Sequence, residues 1–82
     1  MIIKPVTVDT VYEAVKSFIA TNSILKQVIE DEFYGEFETI TNVRESCGDY
    51  LEFMVDEYDT FTYRVAVRSK EELVELINDF IA

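Results

Sequence analysis

"YLEFMVDEYDTFTYRVAVR", residues 50–68, is the stretch whose reading decides the fold. It alternates with period two on both sides of a polar centre. Leu51, Phe53 and Val55 stand against Tyr50, Glu52, Met54 and Asp56; Phe61, Tyr63, Val65 and Val67 stand against Thr62, Arg64, Ala66 and Arg68. Successive strand side chains point to opposite faces, so each half predicts a half-buried strand and the pair predicts a hairpin. If both apolar sets share a face, the register is restricted, because a one-residue slip inverts a whole strand. Pairing 55 with 61, 53 with 63 and 51 with 65 meets that condition and leaves the loop Glu57-Tyr58-Asp59, with Asp59 suited to left-handed geometry. A tighter loop at Tyr58-Asp59 sets Val55 against Thr62 and is rejected.

Working upstream, the turn "CGD" at 47–49 pairs Val43 with Phe53 and Arg44 with Glu52, which makes a three-stranded meander from Phe37 to Arg68. The outer face then carries a row Arg44, Glu52, Arg64, where opposite charges face one another across strands. Downstream, Ser69 and Glu72 have capping-box spacing. Leu73, Leu76, Ile77 and Phe80, with Val74 and Ile81, form an apolar stripe, while Glu71, Glu75 and Asp79 face water. This C-terminal helix is expected to pack on the meander.

The N-terminal half reads differently. Ile2 to Val8 is β-branched but holds Pro5, so it is an edge strand or an extended lead-in. Thr10 and Glu13 have capping-box spacing before a helix whose Val11, Ala14, Val15, Phe18 and Ile19 face a core. "TNS" at 21–23 marks either a break, with Asn22 or Ser23 capping a second helix, or a bend in one helix. The second helical segment carries Leu25, Val28, Ile29 and Phe33 inward and Lys26, Gln27, Glu30 and Asp31 outward. It ends at Gly35, the residue type that tolerates a left-handed C-terminal position. The whole predicts one α+β domain, residues 1–82: an N-terminal extended segment, a helical pair, a three-stranded antiparallel β-meander and a C-terminal helix, all helices on one face of the sheet.

Charge is the chain's most uneven property. The net charge is −10, and residues 30–59 account for it, setting Arg44 against eleven acids. Such a field repels nucleic acid and anionic membrane and attracts basic surfaces, more weakly as salt rises. "IEDEFYGEFE", residues 29–38, opens this segment and places Glu30, Asp31 and Glu32 in a helix's last turn, where the macrodipole disfavours carboxylates by about 0.3 to 1 kcal/mol each. The other helices obey their capping rules, and a local rule broken inside a consistent sequence points to function.

Little in the sequence points to catalysis. Histidine is absent, which removes the commonest general base and metal ligand. The single cysteine, Cys47, sits beside Glu45 and Asp49, which disfavour its thiolate, and rules out an internal disulfide. Asp56 and Asp59 lack the spacing and glycine of a calcium loop. No enzyme activity, cofactor or metal is expected. The start "MIIKPVTVD" has no apolar signal core and no run approaches the length of a membrane span, so a cytoplasmic location is expected.

The expected function is that of a small acidic protein-binding protein. Glu30, Asp31, Glu32, Tyr34, Glu36 and Glu38, extended by Glu57, Tyr58 and Asp59, are the candidate partner-binding residues: tyrosines bury large area at low entropy cost, and Glu36 and Glu38 on one strand face stand at phosphate-like separation, about 6.6 to 6.8 Å. The expected partner is a basic protein surface, such as that of a nuclease or other nucleic-acid-binding protein, and not nucleic acid or membrane itself. In size, charge and lack of catalytic residues the chain resembles the small phage-encoded inhibitors of host defence nucleases, including anti-CRISPR and anti-restriction proteins. That resemblance is one of composition, and it implies an inhibitor or nucleic-acid mimic. The alternative is a homodimeric or small-subunit interaction module using an open outer sheet face with Ile40, Tyr50 and Met54, its acidity serving solubility. An antitoxin-like neutraliser of a basic toxin lies between the two.

Overall fold

The computed structural model describes residues 5–21, 24–35, 38–57 and 62–81. Its order is α1 (Val11–Thr21), α2 (Ile24–Phe33), β1 (Glu38–Glu45), β2 (Tyr50–Glu57), β3 (Thr62–Ser69) and α3 (Lys70–Ile81). The strands form one antiparallel sheet in the order β1-β2-β3, and the helices pack against it, giving an α+β fold. Both expected helical segments are present as α1 and α2, and the junction between them at Asn22 and Ser23 lies outside the described residues.

Each boundary has a local cause. Thr10 precedes α1, but its hydroxyl turns back to accept a hydrogen bond from the Thr7 N–H at 2.9 Å, so the entry to the helix is a Thr7–Thr10 turn. Gly35, with φ 84°, ends α2, and its N–H donates to the Glu30 carbonyl at 2.9 Å, the closure that a left-handed glycine permits. At the start of α3 the Ser69 hydroxyl accepts from the Glu72 N–H at 3.2 Å, the cap that the spacing predicts. The lead-in is irregular over the described residues 5–10. Val6 enters the core and is fastened to α3 by Asn78, whose amide accepts from the Val6 N–H and donates to the Val6 carbonyl, both at 2.9 Å.

Leu51, Phe53 and Val55 of β2 form the floor of the core, joined by Ile40 and Val43 of β1, Val11 and Val15 of α1, Leu25 and Ile29 of α2, and Leu73 and Ile77 of α3. Phe80 departs from the expected inward stripe and is exposed.

The β1–β2 pairing is as the sequence predicts, with Val43 opposite Phe53 and Arg44 opposite Glu52, joined by an ion pair. The β2–β3 register is not. Val55 pairs with Arg64, Phe53 with Ala66 and Leu51 with Arg68, while Met54 pairs with Val65 and Asp56 with Tyr63. Glu57 pairs with Thr62 in the ladder and so is not part of the expected loop Glu57-Tyr58-Asp59, whose Tyr58 and Asp59 lie outside the described residues. Relative to expectation β3 is turned over. Its Tyr63, Val65 and Val67 face away from the helices, and Arg64, Ala66 and Arg68 face toward them. The expected outer row therefore loses Arg64.

The inversion is sustained by the aromatic and acidic groups that the arginines meet on the helix-facing side of the sheet. The Arg68 guanidinium stacks 4.4 Å from the Phe33 ring centroid, and Arg64 lies 5.5 Å from that of Tyr34. Arg64 also bonds Glu38 at 2.7 Å and Glu57 at 3.2 Å, and Arg68 lies 3.7 Å from Glu72. Arginine stems cover the aromatic end of α2 while their charges meet carboxylates.

Candidate functional site

Glu30, Asp31 and Glu32 do stand in the last turn of α2, with no basic residue in that turn. Their fates differ. Glu30 is 5% exposed, and one of its carboxylate oxygens accepts three hydrogen bonds: from Lys26 Nζ at 2.8 Å, from the Thr39 hydroxyl at 2.7 Å and from the Ile40 N–H at 2.8 Å. Burial pushes its pKa up, but these bonds and the Lys26 charge together outweigh burial and hold it below the ordinary carboxylate value. The side chain is thus a fastener between α2 and the edge of β1. It does not stand on the acidic surface where the sequence alone places it.

Asp31 is exposed and accepts from the Gln27 amide at 2.9 Å one turn back. Glu32 is exposed and makes no ion pair among the described residues. Tyr34 is half-buried, edge-on to Phe33 and Phe53, with a buried hydroxyl that has no hydrogen-bond partner among the described residues. Burial pushes its phenol pKa up, against the opposing influence of Arg68 and Arg64. Glu38 and Glu57 are both engaged by Arg64. Of the remaining expected residues, Glu36, Tyr58 and Asp59 lie outside the described residues. The structure thus assigns Glu30, Tyr34, Glu38 and Glu57 to internal contacts and leaves Asp31 and Glu32 facing solvent.

What the sequence reading missed is where Glu32 points. It joins Glu72, Glu75 and Asp79 of α3 around an open groove of about 230 Å³, with Phe33 and Leu76 forming its apolar lining. Glu75 and Asp79 make no ion pair among the described residues, while Glu72 holds its long contact to Arg68. The signal was present as Glu72, Glu75 and Asp79 at helical spacing, but only the crossing of α2 over α3 brings Glu32 to them. The groove is smaller than the few hundred Å³ usual for a small-molecule pocket. Its chemistry suits a lysine or arginine side chain, whose aliphatic stem rests on Phe33 and Leu76 while its head meets carboxylates.

The opposite side of the molecule is of another kind. Tyr50, Tyr63, Val65 and Val67 are all about half-exposed on the sheet face turned away from the helices, beside the more buried Met54. Ile40 is not with them: it is 1% exposed in the core, because Thr41 bulges out of β1 and shifts the ladder between Ile40 and Asn42. Cys47 is exposed in the β1–β2 turn. Among the described residues no group of three or more Cys, Asp or Glu side chains is placed to hold a metal ion, and no helix is long and apolar enough to cross a membrane. Comparison of the chain with protein-family models, with curated proteins and with solved structures finds no match.

Proposed function

We propose that this chain is a small acidic binding protein that occupies a basic groove of a partner protein, acting as an inhibitor or nucleic-acid mimic of the phage anti-defence kind. The observation that carries this reading is the carboxylate-rimmed groove of Glu32, Glu72, Glu75 and Asp79 over Phe33 and Leu76. Carboxylates that stabilise the fold are matched here with a cation, as Glu30 is with Lys26, Glu38 with Arg64 and Glu45 with Lys70. Glu32, Glu75 and Asp79 have no such match among the described residues, so a basic partner would supply it. A net charge of −10 brings such a partner in quickly and repels nucleic acid, the competing polyanion.

The test is capture of a partner from lysate at low salt, followed by displacement. The captured protein is expected to be basic, to be released by high salt and to be displaced by duplex DNA. In the double variant Glu32→Lys/Glu75→Lys, affinity for that protein is expected to fall at least about tenfold, one unit of 1.4 kcal/mol, with the melting temperature unchanged. Unchanged affinity, or a partner indifferent to salt and DNA, sinks the proposal.

A further inference from the structure

The two edges of the sheet are finished in opposite ways. The β1 edge is interrupted by the bulge at Thr41, and its Ile40 N–H is taken by the Glu30 carboxylate. Both devices keep another strand away. β3 has neither. Its eight residues pair with β2 without a break, it contains no proline and no lysine, and among the described residues β2 is its sole strand neighbour. The side chains it turns outward, Tyr63, Val65 and Val67, are uncharged and 45–59% exposed. Among the described residues, the edge left open is also the apolar one.

We propose that β3 is a self-association edge: two copies of this chain pair through antiparallel β3 strands about a twofold axis at Val65, forming a continuous six-stranded sheet. The proposal is independent of the acidic groove, which lies between helices.

Low charge repulsion and a self-complementary register point to a second copy as the occupant. β3 holds Arg64 and Arg68 and no acid, and among the described elements it alone has net positive charge. Two chains of net charge −10 meet with least repulsion at β3, which brings no acid of its own to the contact and whose arginines are already matched by Glu38, Glu57 and Glu72. Register points the same way. Centring the pair on Val65 sets Val65 against its own copy, Tyr63 against Val67 twice, and Arg64 against Ala66, so no arginine opposes another. Aromatic and β-branched cross-strand pairs of this kind are favourable. A slip to a centre on Ala66 would place Arg64 opposite Arg68, like charges face to face. A strand edge is small as interfaces go, so association is expected to depend strongly on concentration.

Two measurements decide it. Sedimentation of the intact chain over micromolar to millimolar concentrations is expected to show monomer giving way to dimer, and Val65→Lys is expected to hold the monomer with its circular dichroism unchanged. In a Cys47→Ser background, Val65→Cys is expected to form an intermolecular disulfide about tenfold faster than Ala66→Cys under mild oxidation, because only position 65 meets its own copy within disulfide reach. A folded chain that stays monomeric throughout, a dimer that survives Val65→Lys, or cross-linking that is no faster at 65 than at 66 overturns the proposal.

Discussion

Glu30 shows how far a single side chain departs from its local expectation. A carboxylate at the C-terminal end of a helix faces an unfavourable dipole and, here, burial as well. Three donors converging on one oxygen reverse that balance, joining α2 to β1 through Lys26, Thr39 and Ile40. Replacing it as Glu30→Gln keeps the shape, removes the charge and leaves the largely buried Lys26 without its partner. A loss of about 2 kcal/mol is expected by urea unfolding at neutral pH, the scale of a charge-assisted hydrogen bond. The pH dependence follows from the lowered pKa. A depressed carboxyl group contributes stability that is complete above its unfolded value, near 4.5, and is lost as pH falls through the lower folded value. The gap between wild type and Glu30→Gln is therefore expected to be widest at neutral pH and to close below pH 4.5. A gap constant with pH would show that Glu30 acts through packing alone.

At the scale of elements, the ends and the faces were legible to different degrees. Gly35 was readable because no other residue type adopts φ 84° so cheaply. A Cβ there would meet nothing within 4 Å, so Gly35→Ala tests backbone conformation without a clash. It is expected to lower the urea midpoint by the equivalent of about 1 kcal/mol, and Gly35→Asn by clearly less, since asparagine tolerates the left-handed region. Equal losses in both would point to packing rather than backbone strain. β3 was readable as a strand but not as to its facing. Period two divides Tyr63, Val65 and Val67 from Arg64, Ala66 and Arg68, yet it does not say which set the helices cover. The assumption that apolar residues always turn inward failed because Phe33 and Tyr34 accept arginine stems and Glu38, Glu57 and Glu72 accept their charges.

The whole molecule is two-sided, with unmatched carboxylates on the helical layer and half-exposed tyrosine and valine on the sheet. A net charge of −10 on 82 residues carries self-repulsion that the ion pairs relieve only locally. Raising sodium chloride from about 0.02 to about 0.5 M shortens the screening length several-fold and is expected to raise the melting temperature by a few degrees. A falling melting temperature would mean that the ion pairs of Arg44, Arg64 and Lys70 outweigh the repulsion, which exposed pairs seldom do.

The sequence by itself determined what depends on neighbours along the chain: the helix caps and stops at Ser69 and Gly35, the period-two strands, the Val43–Phe53 register across the tight "CGD" turn, and the concentration of acid in the middle third. These follow from backbone geometry and side-chain periodicity, which act over a few residues. Tertiary structure decided which way β3 faces, that Glu30 is buried rather than displayed, that Ile40 joins the core, and that Glu32 meets Glu72, Glu75 and Asp79. Each of these depends on a partner brought close only by packing, and a side chain's surroundings, not its type, set whether it stabilises the fold or faces a second molecule.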